Sequence, residues 1–387
     1  MAPHDRSFPR ALPAALLAVL LLAGCSGPGG AEGSGGGGAA GDAAADRPTA
    51  TAPAPASPLP ASAVTPEGTL LVADFGADTV TFVHPARGAL ASVQVGTAPY
   101  ALAVGGDGRA WVATAEGIAV VDTRTRVRLA RIPYRTGSGP VDRGEYRGGG
   151  MGIALSPDGK RAYVGVNVPG GNGVLEVVDT GTWEVTATVP VGRRPFDVDV
   201  SRDGSEVYVT GHDSFDVTVV PAGTLRPRRI EVAPYGTEGG LGSWLKPHYA
   251  VVRPADGMLL LPFEGERLAV VDPRSGRTSV EAMTADTHQH GAALTPDGRL
   301  LVVGTGAVDG DGRGPSLTVR APDGTERVLP LRGPHEDVAV SRDGRTAYVT
   351  GGYTRDGFWD GITVVDLASG AMRRLGAGAR PLGIAVL

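Results

Sequence analysis

The chain has 387 residues, with 60 Gly and 31 Pro against 7 Phe, 9 Tyr, 4 Trp and one Cys. Hydrophobic residues make up 42% and charged residues 20%, enough to bury a core, which excludes wholesale disorder. With 36 Lys and Arg against 41 Asp and Glu the net charge is −5, so the one-sided positive field that nucleic acid demands is missing and no nucleic-acid partner is expected.

Residues 1–10 carry Arg6 and Arg10, and residues 11–23 form an apolar stretch of 13 residues. A membrane-crossing helix needs roughly 20, so the stretch predicts the core of a secretory signal. Leu22, Ala23, Gly24 and Cys25 resemble the bacterial lipobox, in which the signal is cut before the Cys and the thiol becomes a lipid thioether. That resemblance implies a lipoprotein signal peptide over residues 1–24, lipidation at Cys25, and an extracytoplasmic protein anchored to the cell membrane. An ordinary signal peptide with an incidental Cys is the alternative. Because Cys25 is the only Cys, its acylation leaves no thiol for a disulfide, a metal or a nucleophile. Residues 25–64 are Gly, Ala and Ser, then Pro alternating with Ala, Thr and Ser. Such a segment buries too little surface to offset its ordering entropy, and it is expected to be a disordered tether.

From residue 65 to 387 one unit recurs: an apolar run, a small acidic turn such as Ser156, Pro157, Asp158, Gly159, and a second apolar run. The turn Gly falls at 68, 108, 159, 204, 257, 298 and 344, at intervals of 40, 51, 45, 53, 41 and 46 residues. Periods of this size mark a repeat architecture. Each unit holds four short alternating runs; in the third copy they span residues 151–155, 162–166, 174–178 and 184–189. The Asp-Gly pair suits a two-residue hairpin with positive φ, so four antiparallel strands per unit follow. A sheet with two apolar faces cannot stand alone in water, and stacking seven of them into a ring removes the ends. The expectation is an all-β, seven-bladed β-propeller.

The residues then show a likeness. Tyr208, Val209, Thr210, Gly211 and Tyr348, Val349, Thr350, Gly351 resemble the signature of the YVTN-type β-propeller repeat family. So do the Val-Val-Asp endings at residues 120–122, 177–179, 270–272 and 364–366, and the Val-Gly-x-x-Pro lead-ins at 95–99 and 191–195. The resemblance implies the propeller fold and leaves the function open, because such propellers host unrelated roles. Residues 380–386 repeat the innermost-strand lead-in and then stop, so they are expected to complete the first blade; residues 61–65 are the competing strand.

Loops of a meander alternate between its two ends, so the short Asp-Gly turns define a plain face. The other face receives the insertions at residues 134–150, 234–246, 306–315 and 352–361, and binding is expected there. Of the six His beyond the signal, His84 falls on the plain face, while His212, His248, His288, His290 and His335 fall on the ornamented one. His248, the pair His288 and His290, and His335 precede the innermost strands of three consecutive blades and converge on the channel mouth. His288 and His290 lie two apart, about 7 Å in extended chain. Neutral imidazoles beside a carboxylate are what zinc or copper selects, so His248, His288, His290, His335 and Glu336 form a candidate metal set, with Asp286 and Asp213 as further carboxylates. Solvated or structural His, and acid/base or anchoring His, are the alternatives.

His212, Asp213, Trp244 and Trp359 are candidate ligand contacts, with Phe358 beside them; aromatics in these loops either grip a ligand or pack the insertions. Residues 309–312 have only the opening spacing of a calcium loop, and Asp197 and Asp199 read as polar channel lining. No Ser-centred elbow appears. The first functional expectation is a monomeric lipoprotein binding a ligand or partner with its ornamented face, through a zinc or copper ion held by His. The second is a propeller hydrolase, lactonase or lyase using His248, His290 or His335 as acid and base, and a wall-associated scaffold is the third.

Overall fold

The computed structural model describes residues 65–232, 246–263, 267–284, 289–305, 314–352 and 357–387. Cys25 and the expected tether lie outside these, as do Trp244, Asp286, His288 and residues 309–312. Among the described residues there is no helix, and the strands form seven antiparallel sheets of four strands each. The sheets stand as the blades of a ring, each a meander from its innermost strand outward. In the third blade the strands are Gly149–Leu155, Arg161–Asn167, Val174–Asp179 and Glu184–Pro190, within two residues of the expected bounds.

The core lies between the blades. One side of each strand faces the preceding blade and the other the following one. Ala110 and Val112 pack with Leu71, Val80 and Phe82 of blade 1, while their neighbours Trp111 and Ala113 pack with Ile153, Val164 and Val178 of blade 3. A buried apolar cluster of this kind fills each of the seven junctions. Closure follows the C-terminal route: Pro381–Val386 is the innermost strand of blade 1, with Leu70 opposite Val386 and Val72 opposite Ile384. The chain ends are locked together by Gly68 N donating to Leu387 O at 3.0 Å and Leu387 N to Thr69 O at 2.8 Å.

The turns differ in detail from the expected two-residue hairpin. All seven turn glycines have φ between 68° and 83°, but the residues before them do not have positive φ. In the third copy Gly159 N donates to Ser156 O at 2.8 Å and Ser156 N to Arg161 O at 2.9 Å, which makes a four-residue connection. Pro157 sets the first corner and Asp158 Oδ1 accepts from Ser156 Oγ and Lys160 N, a type I turn that needs only its Gly left-handed. The Val-Val-Asp endings have a similar cause: Asp122 Oδ1 accepts from Arg124 N and Thr125 N at 2.8 and 2.9 Å, and Asp179 Oδ1 from Gly181 N and Thr182 N at 2.9 and 2.8 Å.

Candidate functional site

At the ornamented end, each innermost strand begins by sending one side chain to the channel mouth: Leu382, Tyr100, Met151, Phe196, His248, His290 and Glu336 for blades 1 to 7. In four blades a β-bulge at this step re-aims the residue, between residues 381 and 384, 150 and 153, 195 and 197, and 289 and 292. These seven side chains are 0–3% exposed and form, among the described residues, a buried layer at the mouth. The layer has two halves. Leu382, Tyr100, Met151 and Phe196 form an apolar cluster with Phe75 and Ala98. His248, His290 and Glu336 complete the circle with polar groups.

A continuous run crosses the polar half. Asp213 Oδ1 meets His212 Nδ1 at 2.9 Å, and His212 Nε2 meets His248 Nε2 at 3.2 Å. His248 stacks on His290 with ring centroids 4.4 Å apart, and His290 Nδ1 meets Glu336 Oε1 at 2.9 Å. Tyr249 Oη donates to the same Glu336 oxygen at 3.4 Å. Phe196 joins the halves, stacked on His212 at 4.5 Å and edge-on to His248 at 5.4 Å. A carboxylate only accepts, so the Nδ1 of His212 and of His290 carries the proton donated to Asp213 and to Glu336.

Burial drives His212 down to about 3, against the opposing hydrogen bond from Asp213, so this pair is a neutral imidazole donating to a carboxylate. Burial alone would raise Asp213; its hydrogen bonds from His212 and Lys246 and the Arg194 charge outweigh that and hold it well below the ordinary carboxylate range. Arg194 and Lys246 both approach it, at 2.9 and 2.8 Å. Over this corner lies the insertion at residues 134–148. Its Tyr146 packs 6.3 Å from His212 and 3.5 Å from the Arg194 guanidinium. Glu145 beside it is raised by burial and then by Glu336. Arg147 is buried, donating to Ala98 O at 2.6 Å and to Gly148 O at 3.0 Å.

Just inside the layer, acids clasp neighbouring blades. Asp197 accepts from Val198 N at 2.9 Å and from Ala250 N of the next blade at 2.8 Å. Asp337 accepts from Val338 N at 2.8 Å and from Ile384 N of blade 1. Burial raises Asp197 to about 6 and Asp337 to about 7, and raises Asp199 well above its ordinary value.

The structure therefore brings together His248, His290 and Glu336 of the metal set with Asp213, one of the further carboxylates, and adds His212, which the sequence had marked only as a ligand contact. His335 is turned away: its Nε2 meets Thr363 Oγ1 at 2.7 Å, its Nδ1 meets Gly333 O at 2.7 Å, and Trp359 packs against it at 5.6 Å. Trp359 itself lies under Arg374 at 4.4 Å and packs its insertion, while Phe358 is exposed beside Arg380. Among the described residues no three His, Cys, Asp or Glu side chains converge as a metal-holding group. Tyr249, Tyr100, Glu145 and Arg147 escaped the sequence reading; the Pro-x lead-in that positions Tyr100 was its one available signal. Clefts on the plain face, one of about 780 Å³ between Ser201–Tyr208 and Arg274, recur at several blade junctions and belong to the repeat.

Fold and site define a seven-bladed β-propeller with a buried histidine cluster at one end of its channel. No family model matches the chain, and no curated protein does. Solved structures similar to it include a chain of Kuenenia stuttgartiensis hydrazine synthase, at 19% identity and TM-score 0.60, covering 78% of this chain and 93% of that one. A protein of unknown function from Desulfotomaculum acetoxidans matches at 11% identity and TM-score 0.61, covering 82% and 98%. A catalytically inactive histidine-to-alanine variant of Staphylococcus aureus virginiamycin B lyase, with quinupristin, matches at 13% identity and TM-score 0.53, covering 79% and 88%. These likenesses show the fold.

Proposed function

We propose that the protein is an extracytoplasmic lipoprotein, held to the cell membrane through a lipid on Cys25, whose propeller binds a ligand at the loop-rich end of its channel, and that this ligand is a zinc or copper ion. The observation that carries the reading is the run of buried imidazoles in which Asp213 and Glu336 orient His212 and His290 through their Nδ1 atoms. Carboxylate-oriented imidazole is the usual outer support of a metal ligand. The described residues supply fewer than three converging donors, so water or a second ligand has to complete the coordination. Metal analysis and chelator competition on the full mature chain in detergent test this: one equivalent of zinc or copper is expected, and a stoichiometry near zero overturns it. Cys25→Ser is expected to move the protein from the membrane to the soluble fraction; retention in the membrane removes the anchor.

A second reading is acid/base catalysis, as in a hydrolase, lactonase or lyase. It is favoured by the His290 and Glu336 pair with Tyr249 beside it, an imidazole oriented by a carboxylate. The likeness to a lyase described as inactive after loss of one His points the same way. Turnover of a lactone panel that His290→Gln abolishes would establish it in place of metal binding.

A further inference from the structure

Resting on the reading that a ligand approaches the loop-rich end, and on nothing about that ligand's chemistry, we infer that residues 137–148 are a gate over the mouth, shut in this structure, whose release uncovers His212 and Tyr100. The insertion runs across the ornamented face from the outermost strand of blade 2, Val127–Pro133, to the innermost strand of blade 3, Gly149–Leu155. Its outer root is fixed, because Arg135 N and Thr136 N donate to the buried Glu176 carboxylate of blade 3 at 3.2 and 2.7 Å. A neck follows, where Gly148 lies so close to Ser138 O that a Cβ would strike it. Loops whose ends meet in this way form compact units that are frequently functional. Beyond the neck, side chains do the fastening. Among the described residues the one backbone-to-backbone hydrogen bond of this segment is internal, Arg147 N to Gly144 O at 3.0 Å, and none of its residues joins an apolar cluster. Arg143 forks onto both oxygens of Asp78 on blade 1, Tyr146 lies 3.5 Å from the Arg194 guanidinium of blade 4, and Asn167 Nδ2 of blade 3 donates to Arg147 O at 2.8 Å and to Tyr146 O at 3.3 Å. The Arg143 side chain is 56% exposed, so that pin is open to water. Segments held by few apolar contacts and by solvent-facing pins belong to the low-stability end of a fold, from which lids are drawn.

Arg147 supplies the bias toward opening. It is buried, its Nη1 and Nη2 donate only to the carbonyls of Gly148 and Ala98, its Nε has no partner, and among the described residues no carboxylate touches it. Burial pulls it down to about 10, which leaves it charged at neutral pH. A buried cation without a counter-charge gives up solvation that two carbonyls and the Tyr100 ring, 5.8 Å away, replace only in part. Opening returns the guanidinium to water. The shut gate is thus a balance in which Asp78, Arg194 and Asn167 hold the segment down and its own buried charge pushes it up. What it covers follows from the same contacts: Tyr146 packs 6.3 Å from His212, and Arg147 lies over Tyr100.

The test is hydrogen exchange of the full chain at amide 147, with the strand Arg161–Asn167 as internal reference, and it needs no ligand. Asp78→Asn removes the charge under Arg143 while keeping an oxygen for Ala98 N, which donates to Asp78 at 3.0 Å. Exchange at amide 147 is expected to rise about two- to fivefold, the worth of one exposed ion pair, with the reference strand unchanged. Arg147→Met replaces the uncompensated charge by an apolar chain and is expected to slow exchange at the same amide by at least about tenfold. A residue that only braced the loop would give the opposite sign, since the substitution removes its hydrogen bonds. Trypsin supplies a second readout on Asp78→Asn: the bond after Arg147 is expected to be cut faster than in the wild type, because cleavage follows the population of the open form. Faster exchange in Arg147→Met, or unchanged exchange and cleavage in Asp78→Asn, overturns the gate and leaves the ligand reading standing. The expected shifts in a chain for which binding assays find no ligand uphold the gate and overturn that reading alone.

Discussion

Replacing His212 by Gln tests whether burial or its carboxylate neighbour governs the site. Burial holds His212 near 3 in the folded chain against an ordinary value of 6.5. A basic group whose folded value is depressed contributes stability that is complete above the unfolded value and is lost as pH falls toward the folded one, because only the unfolded chain takes up the proton. At 1.36 kcal/mol per unit, acidification from pH 6.5 to 4.5 removes about 2 kcal/mol through this one imidazole, and about 4 kcal/mol by pH 3. The ring is 3% exposed, so solvent screening does not reduce the effect. His335, lowered to about 4 mainly by burial, acts with the same sign. Asp197 and Asp337, raised to about 6 and 7, act with the opposite sign: the folded chain keeps their protons, and their contribution is lost as pH rises from about 4 through those values. The wild-type profile is therefore flatter than any single group implies, and the difference between two proteins isolates one group. Urea unfolding at pH 7.5, 6.0 and 4.5, with m constant, is expected to show the stability advantage of wild type over His212→Gln shrinking by about 3 kcal/mol at the lowest pH. Parallel profiles refute the burial argument. An advantage that grows on acidification shows instead that His212 is protonated against Asp213.

Truncating the closing strand at Leu382→Ala removes a side chain 1% exposed within the apolar half of the mouth layer, and a loss of about 2–5 kcal/mol is expected in chemical denaturation. Asp197→Asn turns an amide NH₂ toward one of two backbone N–H groups, Val198 or Ala250, and is expected to cost about 1–3 kcal/mol, with faster hydrogen exchange at Ala250 as its local signature. Gly152→Ala drives a Cβ to 2.6 Å from the Asp197 backbone, so a loss of about 3 kcal/mol is expected, whereas Gly106→Ala, with nothing within 4 Å, is expected to change stability by less than about 0.5 kcal/mol.

The architecture was legible because it is written seven times. The turn Gly and the Val-Val-Asp endings are local devices, each needing only its neighbours in sequence, and the apolar alternation dictates that blades pack on one another. The direction of closure was readable for the same reason, since residues 380–386 repeat a pattern met elsewhere in the chain. The site was only half legible. That His248, His290 and Glu336 share the mouth follows from their common place in the repeat. That His212 joins them and His335 leaves them does not: His212 belongs to a different loop of its blade, and His335 stands one residue before the position from which Glu336 enters the layer. A one-residue offset sends a strand side chain to the opposite face, and here it exchanges an imidazole in the channel for a carboxylate. The β-bulges that re-aim the mouth residue in blades 1, 3, 4 and 6 leave no mark in composition either.

The division of the mouth layer is itself informative about where a ligand can approach. Seven equivalent positions filled by one repeat would be expected to carry one kind of residue, yet four consecutive blades contribute Leu382, Tyr100, Met151 and Phe196, and the other three contribute His248, His290 and Glu336. Packing alone favours the apolar choice, since a buried imidazole or carboxylate gives up solvation that an apolar side chain does not have to replace. The polar half is therefore retained against the stability of the ring. Its supports are arranged accordingly: Asp213, itself met by Arg194 and Lys246, orients His212 at one end, and Glu336, beside Tyr249, orients His290 at the other. A layer meant only to plug the channel needs none of this, and the insertion carrying Glu145 and Tyr146 lies over this half.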